Sequence, residues 1–144
     1  MLTAEISEIW NTVQATGNAV NAFLVEFVGG FDKMLHTLIV FIIANYTTCL
    51  FSVIIRKKLS REVGMSGIIK KVTIFIVVGI GNLMDMHLLG GGTALRTSIV
   101  FFYIANELVS FIENCAVVGI PIPQSLMDAL VQIKKKFGSD STDR

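Results

Sequence analysis

The sequence predicts an all-α membrane protein with three transmembrane helices, an N-terminal amphipathic helix and a short C-terminal cytoplasmic helix. Hydrophobic residues make up 53% of the 144 residues and charged residues only 16%, whereas ordinary soluble domains carry about 25% charged residues. The apolar residues are gathered into long runs rather than spread along the chain, which is typical of membrane-spanning segments.

The N-terminal segment, residues 1–30, is predicted to form an amphipathic helix that does not span. Its apolar side chains recur at spacings of three, four and seven residues; they are Ile6, Trp10, Val13, Val20, Leu24 and Phe27. Amide side chains occupy another face and make the helix too polar to cross a bilayer. Such a helix either anchors at the membrane surface or packs against other copies.

Three apolar runs are the predicted transmembrane helices, and together they define a membrane domain over residues 34–120. Each is as long as the about 20 residues that cross a bilayer; they cover residues 34–55, 68–89 and 99–120. Glycines 90–92 form a short turn between the second and third runs. This turn is not a phosphate-binding loop, because no strand precedes it and no Lys-Ser or Lys-Thr pair follows.

The third run carries the polar stripe around which the rest of the chain is organised. At about 100° per residue, six polar side chains fall within one arc of about 120°: Tyr103, Asn106, Glu107, Ser110, Glu113 and Asn114. Lipid cannot satisfy these groups, and ionisable groups at membrane depth are functional candidates. The stripe is either a seam within a helical bundle or a seam that also lines a pore. In a quiet form, we expect Glu107 to be neutral and hydrogen-bonded to Asn45 or Asn82.

The first two runs have weaker polar faces of their own. The first carries Asn45 near its middle and Ser52 nearer its end, and the second carries Asn82 and Asp85. Such side chains commonly form hydrogen bonds between membrane helices. Three polar faces exceed what a three-helix monomer needs for its own seam, so we expect a homo-oligomer with these residues at helix contacts or along a pore.

The connection between the first two runs is strongly basic and predicts the orientation in the membrane. It has a net charge of +5, because one acidic residue, Glu62, is outnumbered by Arg56, Lys57, Lys58, Arg61, Lys70 and Lys71. Short loops rich in Lys and Arg stay in the cytoplasm, which places the N-terminus outside and the C-terminus inside. The same residues are expected to contact anionic lipid headgroups.

Opposite charges near the ends of the runs predict two ion pairs. Asp85 and Arg96 flank the glycine turn, and Glu113 lies within reach of Lys70 or Lys71, whose long side chains can extend along the helix.

The C-terminal part, residues 121–144, is predicted to lie in the cytoplasm. Pro121 and Pro123 end the third run, since proline cannot continue a helix and restricts the residue before it. Residues 124–137 have the pattern of a short amphipathic helix, and the polar tail beyond is expected to be disordered.

No catalytic residue, metal site, cofactor or nucleic-acid partner is predicted. The chain lacks the His-Glu-x-x-His and Gly-x-Ser-x-Gly motifs that would indicate an intramembrane hydrolase. His36 and His87 lie near the ends of the runs and are interpreted as interfacial polar residues. Cys49 and Cys115 lie inside apolar runs, so we interpret both as buried free thiols.

One motif in the third run has a distinctive form: Asn106-Glu107-x-x-Ser110-x-x-Glu113-Asn114, then Gly119-Ile120-Pro121-Ile122-Pro123 and an amphipathic helix. It closely resembles the phage lysis and toxin-secretion holin family of Gram-positive bacteria and their phages. Gly64-x-x-Gly67-x-x-Lys70-Lys71 and Asp85 also match the family pattern, so the resemblance covers about residues 35–135. Asn45 and Cys49 stand where the family often carries Asp and Gly.

The resemblance implies a small protein of the bacterial cytoplasmic membrane that oligomerises into lesions. Through these lesions, a lysin reaches the cell wall or a large toxin leaves the cell, so an endolysin or a toxin is the expected cargo. The family's dual-start habit also points to Met34 as an internal start. The alternative function is a small accessory subunit of a transporter or secretion complex, whose polar faces contact a partner.

Overall fold

The protein is built from helices, and the computed structural model describes residues 1–57 and 61–138. The helices are α1 (Leu2–Phe27), α2 (Lys33–Ile55), α3 (Arg61–His87), α4 (Ala94–Val118) and α5 (Gln124–Gly138). The segments that are long and apolar enough to cross a membrane are Lys33–Ile55, Gly64–His87 and Ala94–Val118. The predicted fold class is therefore confirmed. The predicted disordered tail begins at Gly138, which instead ends α5. Lys58 and the rest of that tail, residues 139–144, lie outside the described residues.

The helix α4 is the centre of the bundle. It packs extensively on α2 and also on α3, whereas α2 and α3 touch each other only sparingly. The main core joins all three helices and consists of Leu35, Leu38, Ile42, Ile74, Val78 and Val100. A smaller cluster around Val109 and Ile112 continues along α4. Because α2 and α3 diverge, a gap remains between them.

The helix α1 lies outside this bundle. None of its residues is buried, and its apolar side chains, including Ile6, Trp10 and Val13, stay exposed. Its C-terminal part contacts α3, where the ring of Phe27 lies so close to Gly79 that even a single added Cβ atom would overlap it. Glycine is therefore what allows α1 to dock on α3.

The helix α4 ends close to where the sequence predicts. Gly119 adopts a left-handed φ of 90°, and the N–H groups of Gly119 and Ile120 bond back to the carbonyl of Cys115 at 3.1 and 3.0 Å. This is the usual way a glycine terminates a helix, and Pro121 follows at once. At its other end, α4 starts at Ala94, five residues before the predicted apolar run.

The connection between α2 and α3 is shorter than the sequence predicts. The sequence predicts a basic connection up to Lys71 that overlaps a second apolar run from residue 68, whereas α3 begins at Arg61 and includes both Lys70 and Lys71. Charge was a poor guide to this boundary, because a lysine in the first turns of a span can extend its ammonium group away from its own Cα position. Lys71 thus belongs to the span and can reach the bundle interior.

Candidate functional site

Four polar side chains meet inside the bundle near the middle of α4, and we call them the mid-span cluster: Asn45, Lys71, Glu107 and Asn114. Glu107 is only 1% exposed. The Nζ atom of Lys71 donates to both carboxylate oxygens of Glu107 at 2.5 Å, and Asn45 Nδ2 donates to Oε2 at 2.6 Å. Asn114 Nδ2 donates in turn to Asn45 Oδ1 at 2.8 Å. Each of the three spans contributes to the cluster.

Glu107 is both paired and hydrogen-bonded inside the bundle. A carboxylate in a medium of low dielectric constant is costly unless it is paired and hydrogen-bonded, and here Lys71 supplies the opposite charge. The structure places Asn45 beside Glu107, one of the two predicted neighbours, whereas Asn82 lies elsewhere. The Lys71 ammonium also lies within ion-pair distance of Glu107, a partner that the sequence analysis did not assign to it.

Lys71, one of the two lysines predicted to pair with Glu113, contacts Glu107. Periodicity along α4 shows that both glutamates share a stripe, but it does not show how far α3 is displaced along α4. That displacement brings the Lys71 ammonium to the level of Glu107, the more buried carboxylate. No pattern in the sequence carries this information.

The remaining residues of the α4 stripe are divided between the bundle interior and its surface. Tyr103 and Ser110 are half-buried, and Tyr103 packs on the main core. Asn106 and Glu113 are exposed. Asn106 is at the midpoint of α4, and its side-chain amide makes no hydrogen bond to any residue that the structure describes. On α2, Ser52 is buried and donates to the carbonyl of Cys49 in its own helix at 2.9 Å.

A second polar group ties helix ends together at the other end of the bundle, and we call it the helix-end junction: Asp32, Asn82, Asp85 and Arg96. Arg96 is 2% exposed. Its guanidinium donates to Asp32 Oδ2 at 2.7 Å and to the carbonyls of Val28 and Gly30 at 2.5 and 3.1 Å. These three acceptors all belong to the connection between α1 and α2, so Arg96 fastens that connection to α4.

Asp85 caps α4 and does not pair with the Arg96 side chain, so the predicted ion pair is wrong. Its carboxylate oxygens accept hydrogen bonds from the backbone N–H groups of Leu95 at 3.0 Å and Arg96 at 2.7 Å. The first N–H groups of a helix have no partner within the helix, and Thr93, which precedes α4, forms no side-chain cap. Asp85 fills this role from α3, which leaves the guanidinium free to face the α1–α2 connection.

Asp32 is the functional residue of this junction that the sequence analysis did not single out. It precedes α2, and its side chain accepts a hydrogen bond from the N–H of Leu35 at 2.9 Å. The hydrogen bond from Arg96 lowers the pKa of the Asp32 carboxyl from its ordinary value of 3.8. An aspartate immediately before an apolar helix is a known start signal, so its capping role was detectable, but its pairing with Arg96 was not.

Asn82 completes the junction by holding the end of α1. Its Nδ2 atom donates to the carbonyls of Phe27 at 3.1 Å and Glu26 at 3.3 Å. The last carbonyls of a helix lack partners within the helix, and Asn82 supplies one from α3. The junction therefore links the ends of four helices, α1 to α4.

The gap between α2 and α3 consists of two adjoining cavities. The first, which we call the polar cleft, has a volume of about 560 Å³, and its lining includes Tyr46, Ser66, Lys70, Lys71, Ser110 and Glu113. The second, the apolar groove, has a volume of about 250 Å³, and its lining includes Ile42, Ile43, Tyr46, Ile68, Lys71 and Phe75. Tyr46 and Lys71 line both cavities, so the two lie side by side.

Among the residues that the structure describes, no cluster of His, Cys, Asp and Glu side chains is arranged to hold a metal ion. Cys49 and Cys115 are both free thiols; Cys115 is buried and Cys49 is partly exposed.

The sequence profile of the bacteriophage holin family matches residues 22–135, from the end of α1 into α5. The chain belongs to the bacteriophage holin family. Holins are a membrane pore-forming class of proteins without enzymatic activity. Both the mid-span cluster and the helix-end junction lie within the matched part of this holin-family chain.

Several relatives of this holin-family chain are known only as uncharacterized proteins. A 14.9 kDa protein in the nagH 3' region of Clostridium perfringens is 41% identical over 108 residues, which are 75% of this chain and 82% of the relative. A Listeria monocytogenes protein is 35% identical over 78% of this chain and 79% of its own length. YqxH of Bacillus subtilis is 34% identical over 82% of this chain and 85% of its own length. No solved structure matches the chain.

Proposed function

We propose that this chain self-assembles in the bacterial cytoplasmic membrane into pores or lesions that release a lysin or a toxin. The observation that carries the proposal is Asn106. Its amide is exposed at the midpoint of α4 and makes no hydrogen bond to a described residue. A polar group that faces hydrocarbon costs free energy until it finds a partner. A second copy of the chain, or water enclosed by several copies, supplies that partner.

The surroundings of Asn106 support the same proposal. Ser110, one turn further along α4, is half-buried, whereas Phe101 and Phe102 on the neighbouring surface are 62% and 47% exposed. The helix thus has a polar strip beside apolar surfaces that suit lipid. Helices associate in membranes when polar side chains such as these meet across the interface.

The mid-span cluster stabilises a closed, inactive form of the monomer before assembly. In the monomer, the Glu107–Lys71 pair is enclosed by α2, α3 and α4. Separation of α3 from α4 would expose both charges, which is unfavourable in lipid and favourable where assembled copies enclose water. Assembly and opening would therefore favour each other, because each stabilises the state that the other requires.

The orientation belongs to the proposal as well. The N-terminus and the helix-end junction lie outside, and the end of the bundle with Arg56 and Lys57, both exposed, lies in the cytoplasm. The excess of basic residues in this connection is the argument.

The test is expression of the chain alone in a bacterium, with a membrane-potential dye, and then together with a cytoplasmic muralytic enzyme. We expect depolarisation without any partner protein and lysis once the enzyme is present. Asn106→Leu should accumulate in the membrane to the same level but should delay or abolish both effects, since the strip loses its central amide.

The matched control is Thr73→Leu, on α3, where an exposed hydroxyl is already bonded to the carbonyl of Ile69 at 2.8 Å. This variant should depolarise and lyse like the parent chain. Absence of depolarisation by the parent would favour an accessory subunit that needs a partner, and normal lysis by Asn106→Leu would remove the argument for assembly through this strip.

A further inference from the structure

We infer that the polar cleft and the apolar groove together bind one anionic phospholipid, with its phosphate in the cleft and one acyl chain in the groove. The first reason is that the two cavities adjoin. Tyr46 and Lys71 line both, so a polar head in the cleft and an apolar tail in the groove would lie next to each other, as in one lipid molecule. The inference concerns a single copy of the chain and does not depend on the proposed lesion.

The second reason is the direction and length of the combined site. The cleft begins at Gly64, where the span of α3 starts, and the groove reaches Phe75. At about 1.5 Å per residue, these residues are roughly 16 Å apart along α3. Half of a hydrocarbon core of about 30 Å is about 15 Å. A lipid whose phosphate lies near the first turn of α3 would therefore place its chain end near Phe75.

The third reason is charge. Lys70 lines the cleft and is exposed, and Arg56 and Lys57 are exposed at the nearby end of α2. Glu113 is the acidic residue on the cleft wall, and Lys71 is already paired with Glu107. Among the described residues of this rim, positive charge thus exceeds negative charge, which favours a lipid with a net negative headgroup over a zwitterionic one.

We assign the groove to lipid rather than to a second copy of the chain. Its lining is apolar except at Tyr46, Thr47 and Lys71. The strip that we assign to self-assembly lies around Asn106, which lines neither cavity.

The experiment uses fluorescence quenching by brominated lipids in bilayers of the full chain. Trp10 is the only tryptophan, so a Trp10→Phe background leaves one engineered probe. Ile68→Trp is the reporter because Ile68 lines the groove, and Ile69→Trp is its control at the same depth; these side chains are 47% and 60% exposed. Brominated phosphatidylglycerol is compared with brominated phosphatidylcholine at each probe.

At each probe we measure the preference for phosphatidylglycerol over phosphatidylcholine. We expect this preference to be roughly fivefold greater at Ile68→Trp than at Ile69→Trp. Fivefold corresponds to about 1 kcal/mol, the contribution of one basic residue near the headgroups. Lys70→Gln should abolish this preference, and Lys57→Gln, at the same rim but outside the cleft lining, should weaken it much less. Gly64→Leu should also abolish it, because a side chain there would enter the cleft and meets no protein atom within 4 Å of its Cβ.

Equal preference at the two probes would overturn the inference, and so would an equal loss in Lys57→Gln and Lys70→Gln, which would indicate a general attraction to a charged surface. Native mass spectrometry of the unchanged chain provides a measurement without any substitution. One phosphatidylglycerol molecule should be retained during removal of detergent, and retention of phosphatidylcholine to the same extent would also overturn the inference.

Discussion

The carboxylate of Glu107 accepts hydrogen bonds from Lys71 on α3 and Asn45 on α2, so one side chain of α4 joins the three spans. A buried ion pair of this kind is weak evidence for stability, because desolvation of both charges offsets much of their attraction. Its more certain effect is geometric. The three helices must keep one displacement along their axes for all the donors to reach the carboxylate.

The first prediction concerns this ion pair. Glu107→Gln keeps the shape and the bond from Asn45 but leaves the Lys71 charge uncompensated, which costs about 3–5 kcal/mol in a fully buried pair. The Lys71 side chain is 20% exposed, so we expect a smaller loss in the free energy of unfolding in detergent micelles. A double variant, Glu107→Gln with Lys71→Met, should recover most of that loss, because it leaves no unpaired charge.

Lysis assays extend this prediction to function. Glu107→Leu removes both charge and hydrogen bonding, and we expect it to accumulate in the membrane without lysing, whereas Glu107→Gln should lyse with altered timing. Normal lysis by Glu107→Leu would make the stripe a packing seam only. Additive losses in the double variant would mean that Lys71 and Glu107 do not interact.

The second prediction concerns Asp32, whose pKa in the folded chain lies below 3.8 because Arg96 donates to it. A lowered pKa means that its contribution to stability is present above the unfolded value and is lost as the pH falls through the folded value. Between about pH 5 and pH 8, hydrogen-exchange protection of residues 28–32 should therefore stay constant. Asp32→Asn should lower this protection throughout that range, and a marked change in the parent chain between those pH values would contradict the assignment.

At the scale of elements, the docking of α1 depends on one close approach. Any side chain at Gly79 would overlap the ring of Phe27, whereas one at Gly64, in the same helix, meets no protein atom within 4 Å. Gly79 and Gly64, two of the four glycines of α3, thus form a matched pair with opposite expected behaviour.

The third prediction uses this pair. Gly79→Ala should release the end of α1 and raise hydrogen exchange over residues 20–30, because the Phe27 ring must move. Gly64→Ala should leave that exchange unchanged and stabilise the chain by about 0.5–1 kcal/mol, the usual difference between Gly and Ala in a helix. Equal exchange in both variants would show that the contact with Gly79 does not hold α1.

Helix existence and most helix ends could be predicted from the sequence, because the length of an apolar run and its Gly and Pro residues determine them locally. The start of α3 could not, since lysine side chains conceal how early a span begins. The polar stripe of α4 was also predictable from periodicity. Its partners were not predictable. The pairing of Glu107 with Lys71 depends on how far α3 is displaced along α4. The pairing of Arg96 with Asp32 depends on the path of the connection between α1 and α2.

At the scale of the whole molecule, the fourth prediction concerns orientation. A reporter that is active only in the cytoplasm should work when fused after Arg144 and should be silent when fused before Met1. The reason is the basic connection between α2 and α3, which resists translocation. If the reporter were active before Met1 and silent after Arg144, the orientation would be the opposite of the one proposed.

The helix α1 is held near its C-terminal end, whereas none of its residues is buried. Its 26 residues make a rod about 39 Å long, and its base is held by Asn82 and, just beyond its last turn, by Arg96. A small rotation about the C-terminal end of α1 therefore displaces its N-terminal end much further than it displaces the residues near Asn82. In the other direction, a pull on the tip is transmitted through Arg96 to the first turn of α4. A molecule that binds the N-terminal half of α1 would therefore act, through Asn82 and Arg96, on the helices that form the bundle.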